Sequence, residues 1–192
     1  MHPDAETLLA EYPDIKMVEA FITDCNGAAR GKWLPIEKLS ALLSAGIKLP
    51  KSAIAQDAWG RDVPSVALDN GDIDGWCQAI PGSLKPVLGS HSVDQAQVVL
   101  TMFKDNGSPL LSDPRQVLAH VTQALETKGF YPRVAIELEF NLFDRQTAGQ
   151  SLRDALPAPH QTGGNLYGLT ALDEHQALLE ALRHYFDTQD LP

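Results

Sequence analysis

Two glutamates carry the strongest chemical signal in this sequence. They lie in the run Val134-Ala135-Ile136-Glu137-Leu138-Glu139-Phe140-Asn141-Leu142-Phe143-Asp144. Apolar residues alternate with the others, and that period predicts a strand over 133–143. Val134, Ile136, Leu138, Phe140 and Leu142 share one face. Arg133, Ala135, Glu137, Glu139, Asn141 and Phe143 share the other. On a strand, carboxylates at i and i+2 stand about 6.6 Å apart on the same side. In water their repulsion is only about 0.6 kcal/mol, but at an effective dielectric near 20 it is about 2.5 kcal/mol. Two readings therefore stand side by side. The pair decorates a solvated sheet face, or it lies on a covered face that needs positive charge. Arg133, four residues from Glu137, is one source of that charge. A divalent cation is the other, and carboxylate ligation favours Mg²⁺ or Mn²⁺ over zinc.

Other chemistry is weaker. None of the six histidines has a partner at ligand spacing. The sequence contains no Gly-x-Ser-x-Gly, no Walker A loop and no Gly-x-Gly-x-x-Gly. Asp24-Cys25-Asn26-Gly27 opens like a calcium loop, but its twelfth position is Pro35, where a bidentate Glu is required. Asp62, Asp69, Asp72 and Asp74 read as a solvated acidic loop over 58–75.

The elements that must position these groups follow from pattern and punctuation. A short helix is expected over 4–11, capped by Asp4, then a strand over 15–23 rich in β-branched and aromatic residues. Asn26-Gly27 predicts a type I′ hairpin turn into a strand over 28–34. Pro35 opens and Gly46 ends a helix carrying Ile36, Leu39, Leu42 and Leu43 on one face. Residues 47–57 read as extended, and 76–80 and 97–103 as strands. Asp113-Pro114 caps a helix that Gly129 ends. Residues 144–164 read as a loop, 165–169 as a short strand, and a last helix opens at Asp173. The first part is thus an α+β sheet with a helix packed on it, expected over 13–108. The second, 112–192, has too few elements to close a core by itself.

Composition sets the outer bounds. The 192 residues are 44% hydrophobic and 21% charged, an ordinary globular mix. A net charge of −10 argues against nucleic-acid binding. No apolar run is long enough to suggest a membrane span. The N-terminus lacks the basic and apolar regions of a secretory signal. Cys25 and Cys77 are far apart and outside any Cys-x-x-Cys. Together these features read as a reduced, cytoplasmic protein.

The strand Ile136-Glu137-Leu138-Glu139-Phe140-Asn141-Leu142-Phe143-Asp144 resembles the Glu-x-Glu-Phe metal strand of the glutamine synthetase family. Asp24-Cys25-Asn26-Gly27-Ala28-Ala29-Arg30-Gly31-Lys32 resembles its N-terminal hairpin, and Pro86-Val87-Leu88-Gly89 and Asp113-Pro114-Arg115 fall where the family would put them. The similarity runs from about residue 13 to the end and looks most like the γ-glutamylpolyamine (γ-glutamylputrescine) synthetase branch.

The resemblance implies a β-grasp-like N-terminal domain and then the start of a larger α+β catalytic domain. It also implies a homo-oligomeric ring and an ATP-dependent ligase that joins the γ-carboxylate of glutamate to an amine through a γ-glutamyl phosphate. Two Mg²⁺ or Mn²⁺ ions belong to such a site, with Glu137 and Glu139 as ligands by position. Ammonia-using members read Phe-Asp-Gly-Ser-Ser where this chain has Leu49-Pro50-Lys51-Ser52-Ala53. Proline cannot hold a cation, so a larger amine is expected instead of ammonia. Ser52 and Asp57 are then the candidate substrate residues, acting across a subunit interface. Glutamine synthetase proper and a non-catalytic assembly module are the alternatives. The resemblance places further metal ligands and the ATP site beyond Pro192. The 192-residue chain is therefore expected to be inactive alone, as a fragment or a natural truncation.

Overall fold

The computed structural model describes residues 1–63, 71–87, 94–140 and 168–191. The chain forms two compact units, Met1–Pro132 and Arg133–Pro192. The expected loop over 144–164 lies outside the described residues, as do Asp69, His91 and His160.

The first unit opens with α1 (Pro3–Glu11). Its cap is His2, not the expected Asp4: the His2 side chain accepts from the Asp4 amide at 3.3 Å. Pro3, with its preset φ and no N–H to leave unpaired, takes the first helical position. Strand β1 (Met17–Thr23) buries Val18, Ala20 and Ile22 on one face. It pairs antiparallel with β2 (Ala29–Pro35).

The turn between them is not type I′. Gly27 donates to the Asp24 carbonyl at 3.0 Å, and Asp24 donates to the Ala28 carbonyl at 2.9 Å. Only Gly27, at φ 80°, has positive φ in this loop. The hairpin is therefore a three-residue loop with the left-handed position on glycine, and Asn26 is released from that duty.

Pro35 leads through a 3-10 turn (Ile36–Lys38) into α2 (Leu39–Ala45), which buries Leu39 and Leu42. Gly46 ends it at φ 72°, where a Cβ would run into the Cys77 carbonyl oxygen. Strand β3 (Ile47–Pro50) is shorter than the expected extended stretch. A second 3-10 turn (Lys51–Ile54) follows it, and 55–63 then folds into a tight hairpin closed by the Val63 amide on the Ala55 carbonyl at 2.8 Å.

Strands β4 (Asp74–Ala79), β5 (Lys85–Val87) and β6 (Gln95–Phe103) complete the sheet. With three residues and a central Pro86, β5 carries no readable strand pattern. The order is β2-β1-β6-β4-β3, with β5 also on β6. The β1–β6 pair is parallel and the others antiparallel. Lys32 of β2 donates its ammonium to the Lys48 carbonyl of β3 at 3.3 Å, so the two edge strands approach and the mixed sheet nearly closes. Ala96, Val98, Leu100 and Met102 of β6 form the centre of the core.

After β6, Asp113 and Pro114 start α3 (Pro114–Glu126) as expected. Asp113 is fully buried. One oxygen accepts from the Arg115 amide at 2.8 Å; the other accepts from Thr101 Oγ1 at 3.0 Å and the Met102 amide at 2.6 Å. The helix cap is also the rivet that fastens α3 to β6.

In the second unit, the expected strand over 133–143 is not formed in its described part. Residues 133–140 have no regular structure, and Val134 and Phe140 are 85% and 64% exposed. A strand needs a neighbour for its backbone groups and a cover for its apolar face. Among the described residues neither is supplied. Helix α4 (Leu169–Glu174) begins at the last residue of the expected 165–169 strand, the rest of which is not described. A break at His175 separates it from α5 (Gln176–Thr188), so the last helix does not open at Asp173.

Candidate functional site

Glu137 and Glu139 stand on this exposed segment. Among the described residues no ion pair joins Arg133 to Glu137, and no group of three His, Cys, Asp or Glu side chains is close enough to hold a metal. The two carboxylates have the right donor chemistry for a hard divalent ion, but they are too few to complete an octahedral shell. They fit such an ion as part of a larger ligand set.

Ser52 and Asp57 are ordered by their own neighbourhoods. Ser52 follows β3 in the 3-10 turn. Its amide donates to Asp72 Oδ1 at 3.2 Å and its hydroxyl to Asp72 Oδ2 at 3.0 Å. Asp57 holds the 57–61 turn. Oδ1 accepts from the Trp59 amide at 2.9 Å and the Arg61 amide at 3.0 Å. Oδ2 accepts from Arg61 Nε at 2.9 Å and pairs with a terminal guanidinium nitrogen at 2.8 Å. A carboxylate offers about four acceptor positions, and all are taken. The backbone bond from Arg61, helped by its guanidinium and the Trp59 amide, outweighs desolvation and holds the Asp57 carboxyl below its ordinary value. Arg61 also lies over the Trp59 ring, 5.1 Å from its centroid.

Sequence reasoning missed that Asp24 builds the same device. Its buried carboxylate accepts from the Asn26 and Ala28 amides, each at 2.8 Å, and from Arg30 Nε at 3.0 Å. Burial works to raise its pKa; the Ala28 amide, Arg30 and the Asn26 amide outweigh it and hold the group low. The readable signal was the recurring Asp-x-x-Gly followed by Arg, in Asp24-Cys25-Asn26-Gly27…Arg30 and Asp57-Ala58-Trp59-Gly60-Arg61. Asn26 joins the two turns. Its side-chain amide donates to the Gln56 carbonyl at 2.9 Å and the Asp57 carbonyl at 3.3 Å.

Comparison with known proteins adds what this geometry leaves open. Residues 111–192 match the family described as glutamine synthetase, catalytic domain. Along 98% of its length the chain is 31% identical to the γ-glutamylputrescine synthetase PuuA of Escherichia coli strain K12, of which it spans 41%. Among solved structures, a GmaS–ADP complex is similar over 97% of this chain and 39% of its own, with TM-score 0.65 and 16% identity. GmaS without ligand is similar over 94% and 38%, with TM-score 0.62 and 16% identity. These likenesses speak for the fold. The catalytic-domain match places residues 111–192 in the glutamine synthetase family, and the curated relative carries the likeness along nearly the whole chain.

Proposed function

We propose that this chain supplies the N-terminal part of an ATP-dependent glutamate–amine ligase acting on a polyamine-type acceptor. The observation that carries this reading is the 31% identity to a γ-glutamylputrescine synthetase along nearly the whole chain. Pro50 supports it, because it stands where an acidic residue would serve ammonium. In this reading residues 13–108 are a β-grasp domain, supported by β1 and β6 lying adjacent and parallel, the β1–β2 hairpin on one side and α2 burying Leu39 and Leu42 in the same core. Residues 112–192 begin the catalytic domain.

A γ-carboxylate oxygen of glutamate attacks the γ-phosphorus of ATP, and ADP leaves. The amine nitrogen then attacks the acyl carbon of γ-glutamyl phosphate, loses a proton and expels phosphate. Bound Mg²⁺ or Mn²⁺ would neutralise the phosphoryl charge in that first step. Glu137 and Glu139 would hold those ions together with ligands from the rest of the domain. Ser52 and Asp57 act as positioning residues of a loop that reaches a neighbouring subunit's site in a homo-oligomer, since their own polar atoms are engaged locally. The full-length protein tests this directly. Phosphate release with glutamate and ATP should rise with putrescine far more than with ammonia, and Glu137→Gln with Glu139→Gln should weaken Mn²⁺ binding at least tenfold while circular dichroism stays the same. Ammonia as the better acceptor, or Mn²⁺ binding untouched by the double substitution, overturns it.

A further inference from the structure

The tip of the 57–61 turn carries an indole that is 80% exposed, a large apolar group displayed to solvent. It is held from behind. Asp57 fixes the Trp59 and Arg61 amides, and Arg61 stacks on the ring. Among the described residues no strand of the sheet pairs with this turn; its own hairpin bonds run from Val63 to Ala55 and from Asp57 to Arg61. The side-chain tie to the first hairpin is Asn26, whose amide reaches two successive carbonyls of the second turn. Asn26 is in turn placed by Asp24, which accepts its backbone N–H and is anchored in the core.

We propose that Asp24, Asn26 and Asp57 form a two-turn relay that sets the position of the Trp59–Arg61 tip, so that loosening the first turn frees the second. Asp24 is the fixed end, because it is buried directly after β1 and its carboxylate is held by Arg30 of β2. Asn26 is the link, and the tip is the output. The charged groups facing the relay are Arg30 on the first turn and Arg61 on the second, with Asp62 close to Gln56, whose side chain donates to it at 3.5 Å. Acid weakens both ends of this relay, since protonation takes the charge out of the Asp24–Arg30 and Asp57–Arg61 contacts.

Hydrogen exchange at the Trp59 and Arg61 amides reads the coupling in this chain. Asn26→Ala, at an exposed site, should leave the β6 amides protected and speed exchange at both turn amides about fivefold, the effect of roughly one net hydrogen bond. Asp24→Asn should speed the same amides. Combining the two substitutions should add nothing further at the tip, because both act through one link. Asn106→Ala, in the 104–108 turn, should leave Trp59 and Arg61 unchanged. Unaltered exchange at Trp59 and Arg61 in Asn26→Ala, or additive effects in the double variant, overturns the relay. If Asp24→Asn does not fold, the Asn26→Ala result decides alone.

Discussion

At the scale of single residues, side chains of the same type have sharply different duties. Asp24 and Asp57 each give both oxygens to their own turn, one buried in the core and the other at the surface. Asp24 titrates below the ordinary carboxylate value in the folded chain. The unfolded state therefore binds its proton first as pH falls. Its contribution to stability is present above the ordinary Asp pKa of about 3.9 and is lost as pH drops through the lower folded value. Asp24→Asn should lower stability by about 2 kcal/mol at neutral pH and flatten this acid limb, as measured by urea unfolding over a pH series. The two cysteines differ in the same way. Cys77 is fully buried, and burial, with the Asp113 charge next, pushes its thiol up to about 12, whereas Cys25 is exposed. A thiol reagent at neutral pH should label Cys25 within minutes and leave Cys77 untouched until the protein unfolds.

Among the elements, those with local signals were legible in the sequence and those needing distant partners were not. Strand β6 announces itself by alternation, α2 by Pro35 and Gly46, and α3 by Asp113-Pro114. Strand β5 could not be read, because it exists by pairing with β6 and not by its own three residues. Residues 133–140 failed in the opposite way: the alternation is plain, yet pairing decides, and no described strand pairs with them. For the same reason the candidate site is half legible. Its residue types and spacing are visible in Glu137-Leu138-Glu139, but among the described residues no third His, Cys, Asp or Glu gathers with them to make a metal-binding group. Asp113 shows how a local signal can hide a tertiary duty. Capping was foreseeable; the bonds to Thr101 and Met102 were not. Asp113→Ala removes an N-cap and strands a buried amide, so it should cost about 3 kcal/mol, well above the ~1 kcal/mol of a cap alone. Thermal unfolding would separate the two figures.

On the scale of the whole chain, stability is concentrated in the first unit. Every buried hydrophobic residue among the described ones lies between Ala5 and Met102. The nearly closed sheet, helices α1, α2 and α3 and the rivet at Asp113 all fall within Met1–Pro132. In the second unit Val134, Ile136, Leu138 and Phe140 expose their apolar groups in a row at alternate positions, the arrangement that invites pairing with another chain. The physical division predicts that Met1–Pro132 folds alone, unfolds in one cooperative transition and stays monomeric in a concentration series by sedimentation. The 192-residue chain should show the same transition midpoint, because unit two adds little buried apolar surface, but should self-associate as its concentration rises. Replacing Ile136 and Phe140 by Asp should suppress that association without moving the midpoint. A shorter chain that fails to fold, or a midpoint that falls steeply when 133–192 are removed, would mean that the second unit contributes to the core after all.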